Sequence, residues 1–175
     1  MEYREVTIGD AKAVLRYKEQ IFDESEFLSK TSNDYDASID DEAAGIIKAL
    51  HATNTLTWLA VENDEIVGLL NIRPYEASRH KDNATLGITV KKAYWSKGIG
   101  RRLMNKAIEF FDESSLHRLE IMVVKDNERA VHLYRSLGFE EEGTLKEFHR
   151  IDDKYYDVLV MAIVKNDKWK VRYNL

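Results

Sequence analysis

The chain has 175 residues, with 26 lysines and arginines against 31 aspartates and glutamates, a formal net charge of −5 and no cysteine. Disulfides, thiolate metal sites and a cysteine nucleophile are thereby excluded, and an acidic chain lacks the basic surface that broad nucleic-acid binding needs. The N-terminus M-E-Y-R-E-V-T-I has no signal pattern, and no run reaches the roughly 18 apolar residues of a membrane span, so a soluble cytoplasmic protein with neither a membrane nor a nucleic-acid partner is expected. One proline, no repeat and a length within the roughly 100–200 residues of one domain set the expectation of a single domain over residues 1–164.

In chain order, Tyr3 to Ile8 alternates as a first strand, and Gly9-Asp10 offers a turn and a helix cap. Ala13, Val14, Tyr17, Ile21 and Phe22 recur at helical spacing to about Glu24. Between Glu19 and Glu42 lie nine acidic residues (Glu19, Asp23, Glu24, Glu26, Asp34, Asp36, Asp40, Asp41, Glu42) and one base, Lys30. A second helix is expected over Ile39 to His51, with Ala43, Ile46, Ile47 and Leu50 as its apolar stripe. Leu56 to Val61 and Ile66 to Ile72 then read as a hairpin, and their near-continuous apolarity calls for cover on both faces. Pro74 closes it, Glu76 to Asn83 is a polar connection, and Ala84 to Val90 is the next strand. Leu103, Met104, Ala107, Ile108 and Phe111 mark a helix to about Ser114. Arg118 to Val124 is a strand with Leu119, Ile121 and Val123 on one side. Ala130, Leu133, Tyr134 and Leu137 give a short helix that Gly138 stops. Leu145 to Ile151 and Tyr155 to Val164 form a closing hairpin, while the tail 165–175 has no assignable place. This order implies an α/β fold, with a mixed, mostly antiparallel sheet of six to seven strands and about four helices on both faces.

The stretch Val90 to Arg102, V-K-K-A-Y-W-S-K-G-I-G-R-R, holds five basic residues and no acidic one, and places Gly98 and Gly100 where a helix begins. Glycines admit close approach of a ligand, and a helix start offers unpaired N–H groups and a positive dipole end, which suits a phosphate. A dinucleotide fingerprint would need a glycine at Leu103, and no P-loop or serine elbow is present. The five histidines show no metal-binding spacing, so no metal is expected.

Two segments carry a resemblance. Trp95-Ser-Lys-Gly98-Ile-Gly100 resembles the R/Q-x-x-G-x-G/A acyl-CoA loop of the GNAT superfamily of N-acetyltransferases, and Asn127 to Phe139 is similar to its second signature, N-x-x-A-x-x-L-Y-x-x-x-G-F, at every fixed position. The resemblance implies an enzyme that passes an acetyl group from acetyl-CoA to a primary amine, by direct attack and with no metal. It implies that backbone groups of Ile88, Thr89 and Val90 pair with the pantetheine arm. Backbone N–H groups across Ser96, Lys97, Gly98, Ile99, Gly100 and Arg101 would hold the pyrophosphate. Asn127 would hydrogen-bond the cofactor, and Tyr134 would protonate the departing thiolate, with packing in the core like Leu133 as its alternative role. A backbone N–H of the fourth strand would stabilise the oxyanion.

The sequence departs from the family pattern twice. Trp95 stands where Arg or Gln is usual, and Thr85 stands where relatives often place a glutamate base. Glu120 on the fifth strand is the nearest carboxylate by strand reasoning, with a water-mediated base or an already neutral amine as alternatives. The acidic run 19–42 falls where relatives admit the acceptor, which points to a cationic one, such as a polyamine, basic antibiotic or peptide amine. The end, Gly143 to Met161, looks like the branch of polyamine and ribosomal-protein acetyltransferases. A homodimer is compatible with the resemblance, although no residue marks an interface. A non-catalytic CoA-binding module serving a protein partner is the second reading, for which Trp95 and Thr85 would speak.

Overall fold

The computed structural model describes residues 1–166; the expectation for the tail 165–175 lies outside the described residues beyond Asn166. The chain runs β1 (Glu2–Glu5), α1 (Ala11–Glu24), α2 (Ile39–His51), β2 (Leu56–Glu62), β3 (Glu65–Pro74), β4 (Asn83–Val90), α3 (Ile99–Glu113), β5 (Arg118–Val124), α4 (Glu128–Ser136), β6 (Glu140–Ile151) and β7 (Lys154–Val164). The strands form one seven-stranded sheet in the order β1-β2-β3-β4-β5-β7-β6, in which β4 and β5 are the parallel pair. The mixed, mostly antiparallel sheet and its four helices agree with the sequence reading.

Two apolar clusters cover the sheet's two faces. Leu103, Met104, Ala107 and Phe111 of α3, with Val131 and Tyr134 of α4, pack on Leu70, Ile72, Ala84, Leu86, Leu119 and Ile121. On the other face Val14, Tyr17 and Ile21 of α1 and Ile46 of α2 meet Leu59, Ile66 and Leu69. Strands β2 and β3 contribute to both clusters, which accounts for their unbroken apolarity. Gly68 lets α3 lie close to the sheet, since a Cβ there would sit 3.0 Å from Leu103 Cδ1 and 3.3 Å from Ile99 Cγ2.

Four details differ from the sequence reading. Strand β1 stops at Glu5 rather than Ile8. The Asp10 carboxylate accepts from the Thr7 amide and hydroxyl at 2.8 Å and from the Arg4 guanidinium at 2.7 Å, folding 8–10 into a tight turn. The Arg4 guanidinium, first among these partners, holds the Asp10 carboxyl down at about 2. Helix α2 buries Ile46 but leaves Ile47 42% and Leu50 40% exposed, so the expected stripe is narrower than drawn. Helix α4 buries Val131, which was not on the expected stripe, and turns Ala130 and Leu133 toward the cleft described below. Strand β6 begins at Glu140, five residues before Leu145, because ladder pairing to β7 holds Glu140 opposite Ala162 with no apolar alternation to announce it.

Candidate active site

Strands β4 and β5 pair only through Asn83↔Arg118, Ala84↔Leu119 and Thr85↔Glu120. Beyond that point β4 stays with β3 and β5 turns to β7, so the two part like a V. Lys91 donates to the Val67 carbonyl at 2.9 Å and Tyr75 to that of Asn83 at 3.0 Å, so the odd-numbered residues of β4 direct their backbone groups to β3. Alternation then turns those of Leu86, Ile88 and Val90 toward the opening. An unpaired strand edge is a template for another extended chain. Thr89 directs its backbone to β3, and its hydroxyl shares a 2.9 Å hydrogen bond with Tyr17 on the α1 side.

A cleft of about 310 Å³ occupies the V, and its walls include Ile88, Thr89, Val90, Gly98, Asn127 and Tyr134. The loop before α3 makes two left-handed turns, at Ser96 (φ 60°) and Gly98 (φ 79°). Arg102 is the first residue whose amide returns to a helix carbonyl, that of Gly98 at 3.1 Å. The N–H groups of Ile99, Gly100 and Arg101 are therefore left at the open, dipole-positive end of α3. Among the described residues the cleft is lined by Arg101, Arg129 and His132 and by no aspartate or glutamate, in a chain whose net charge is −5. Such walls favour an anionic ligand.

Of the residues expected to act together, Ile88, Thr89, Val90, Ser96, Gly98, Ile99, Gly100, Arg101, Asn127 and Tyr134 all line this cleft. Lys97 does not; its ammonium lies 4.6 Å from the Tyr94 ring centroid. Asn127 caps α4, its Oδ1 accepting from the Ala130 amide at 3.3 Å, while its NH₂ has no partner among the described residues. Tyr134 is 6% exposed and its hydroxyl meets no hydrogen-bond partner among the described residues. Burial pushes that hydroxyl well above the ordinary tyrosine range, so it stays protonated.

Glu120, unlike Tyr134, is not among the residues that line this cleft. It sits at the vertex of the V, where Arg118 Nη2 donates to its Oε2 at 2.6 Å and Tyr75 donates to its Oε1 at 3.0 Å. Arg118 in turn holds Glu142, and those two carboxylates push its guanidinium above the arginine range.

The opposite wall uses apolar residues of the 19–42 segment that its acidic pattern did not single out. Phe27 and Leu28, from the α1–α2 connection, line the cleft. They are pinned to the β6–β7 hairpin by an edge-to-face contact of Phe27 with Tyr156 (6.4 Å) and a hydrogen bond of His149 Nε2 to the Leu28 carbonyl (3.1 Å). Arg129 was also missed, because it occupies a variable position of the second signature. Among the described residues no three His, Asp or Glu side chains gather as a metal site, and no helix is long and apolar enough to cross a membrane.

The profile of the acetyltransferase (GNAT) family matches residues 17–139, and the chain belongs to that family. It is 33% identical over 108 residues to the L-amino acid N-acetyltransferase AaaT of Escherichia coli, covering 61% of this chain and 67% of that protein. It is also 33% identical over 102 residues to the spermidine N(1)-acetyltransferase of Vibrio cholerae, covering 58% of each. These alignments span about three fifths to two thirds of the relatives' lengths. The crystal structure of a GNAT-family acetyltransferase from Streptococcus pneumoniae superimposes with a TM-score of 0.90 at 30% identity, over 94% of this chain and 99% of that one.

Proposed function

We propose that this protein transfers the acetyl group of acetyl-CoA to a primary amine of a cationic acceptor. The observation that carries the reading is the V between β4 and β5: an open strand edge, a helix start rich in free N–H groups and a buried tyrosine share one cleft that, among the described residues, no carboxylate lines. Backbone groups of Ile88 and the amide of Val90, whose carbonyl accepts from Trp95 Nε1, bind the extended arm, and the α3 start takes the pyrophosphate. The amine nitrogen forms a bond to the thioester carbonyl carbon as the carbon–sulfur bond breaks. Tyr134 gives its proton to the leaving sulfur, and solvent returns to it the proton that the new amide nitrogen sheds.

Glu120, with both oxygens already accepting, supports an anchoring role at the vertex more than that of a base. Glu120→Gln should therefore keep most of the turnover, with the rising limb of the pH–rate profile unmoved. A lost limb would make Glu120 the base.

The acidic run supports the choice of acceptor. Four of its nine carboxylates are committed: Glu24 to the Lys92 amide, Asp34 to Thr31, Asp41 to Ser38, and Glu42 to Lys18 and Tyr35. Glu19, Asp23, Glu26, Asp36 and Asp40 stay exposed with no hydrogen bond or ion pair to described residues. Glu26 stands between Ser25 and Phe27, both in the cleft wall. One relative's acceptor is the polycation spermidine and another's is an amino acid; the free carboxylates favour the first kind. Assayed with acetyl-CoA by mass spectrometry, polyamines should exceed neutral amines in kcat/KM by at least about tenfold at low salt, with the gap closing at high salt. Equal, salt-insensitive turnover of both classes would overturn the choice of acceptor.

A further inference from the structure

Trp95 fills the loop position where a basic or amide side chain is usual, and three contacts involve its ring, one of them the Lys92 ammonium 5.9 Å from the centroid. Nε1 donates to the Val90 carbonyl at 2.6 Å, and the Arg129 guanidinium lies 3.6 Å from the ring centroid. Arg4, Arg118, Arg135 and Arg150 each end on a carboxylate. Arg129 has no such partner among the described residues and lies instead over the indole face. A guanidinium held over an aromatic face, with no carboxylate partner, keeps N–H donors available for an anion. Trp95 and Arg129 both line the cleft, together with the α3 start at Ile99, Gly100 and Arg101. An anionic group entering there meets backbone donors from α3 and side-chain donors from α4.

We propose that Arg129, held in place by Trp95, is the side-chain phosphate ligand for CoA, and restores from α4 the charge that the loop lacks at position 95. Arg129 is the binding residue and Trp95 its positioning residue. The proposal rests on the acetyl-CoA reading above and adds to it a residue outside the glycine loop.

Isothermal titration of the full chain with acetyl-CoA and with acetyl-dephospho-CoA, at low and high NaCl, tests it. Arg129→Gln should bind acetyl-CoA about tenfold to hundredfold more weakly, as expected for one charge-assisted hydrogen-bonded contact. Its affinity should also fall less steeply with salt. Trp95→Ala should lose a similar factor, while Trp95→Phe, which keeps a ring under the guanidinium, should recover most of it. Arg129 is exposed, so the ligand-free melting temperature should not move. If the Arg129→Gln loss disappears with acetyl-dephospho-CoA, the contact is to the 3′-phosphate; if it persists, the contact is to the diphosphate. Either result supports the proposal. Equal acetyl-CoA affinity and equal salt dependence in Arg129→Gln and the unmutated protein would overturn it and leave the acetyl-CoA reading intact. If the unmutated protein binds neither ligand, the acetyl-CoA reading itself is wrong.

Discussion

Tyr134→Phe should lower kcat by roughly 10²- to 10⁴-fold, the usual worth of a positioned general acid, and leave the affinity for acetyl-CoA unchanged. Tyr134 emerges from α4 with Val131 and packs near Phe139, ring centroids 6.0 Å apart, so a phenyl ring keeps that packing. What the substitution removes is a hydroxyl with no partner among the described residues, in the wall of the cleft. Stability near neutral pH should stay level or rise, since no hydrogen bond is broken on the protein side.

The pH dependence has a definite sign. Burial raises the Tyr134 pKa, so the folded state holds the proton more tightly than the unfolded chain does. Its contribution to stability is complete below the unfolded value of about 10 and is lost as pH rises past it. Turnover should accordingly show no descending limb from Tyr134 at neutral pH. Steady-state kinetics beside titration calorimetry separate the possibilities. Unimpaired turnover would remove Tyr134 from the chemistry. A matching loss of acetyl-CoA affinity would make it a packing residue. If the unmutated protein binds acetyl-CoA and acetylates no amine, the second reading, a binding module, gains.

The fold was legible wherever a segment's burial is set by its own period. Helix α3 shows all of Leu103, Met104, Ala107, Ile108 and Phe111 buried, as their spacing demands. Helix α2 was over-read because Ile47 and Leu50 are apolar but face outward, and period alone cannot tell which half of an apolar face finds a neighbour. Strand β6 was cut short because Glu140 to Gly143 is held by its ladder with β7 and not by side-chain burial.

The site followed the same rule. Gly98, Gly100, Asn127 and Tyr134 stand in local motifs with fixed spacing and were readable as such. The parting of β4 from β5, the place of Glu120 at the vertex, and the placing of Arg129 on Trp95 depend on register between segments far apart in the chain. Five basic residues in Val90 to Arg102 looked interchangeable in the sequence. In the structure Lys91 is buried against Glu65, Lys97 and Arg102 lie over Tyr94 and Tyr3, and Arg101 alone of the five lines the cleft.

Gly98→Val should weaken acetyl-CoA binding by at least about a hundredfold, the equivalent of losing two charge-assisted bonds. Space is not the obstacle, because a Cβ on Gly98 would meet no heavy atom within 4 Å. The obstacle is the backbone: Gly98 holds φ 79° as the N-cap of α3, a conformation that a β-branched residue strongly resists. Keeping it would cost about 1–3 kcal/mol, which in a chain of this size lowers the melting temperature by several degrees. Relaxing it would rotate the peptide units on either side of residue 98 and turn the N–H groups of Ile99 and Gly100 away from the cleft. Gly98→Asn separates conformation from bulk, since asparagine tolerates the left-handed region far better than valine. If conformation governs, the Asn variant should be the more stable of the two and bind acetyl-CoA more tightly than the Val variant. Equal losses in Asn and Val would show instead that any side chain at 98 fills the space a phosphate needs. Unaltered binding in both would take the α3 start out of the site altogether.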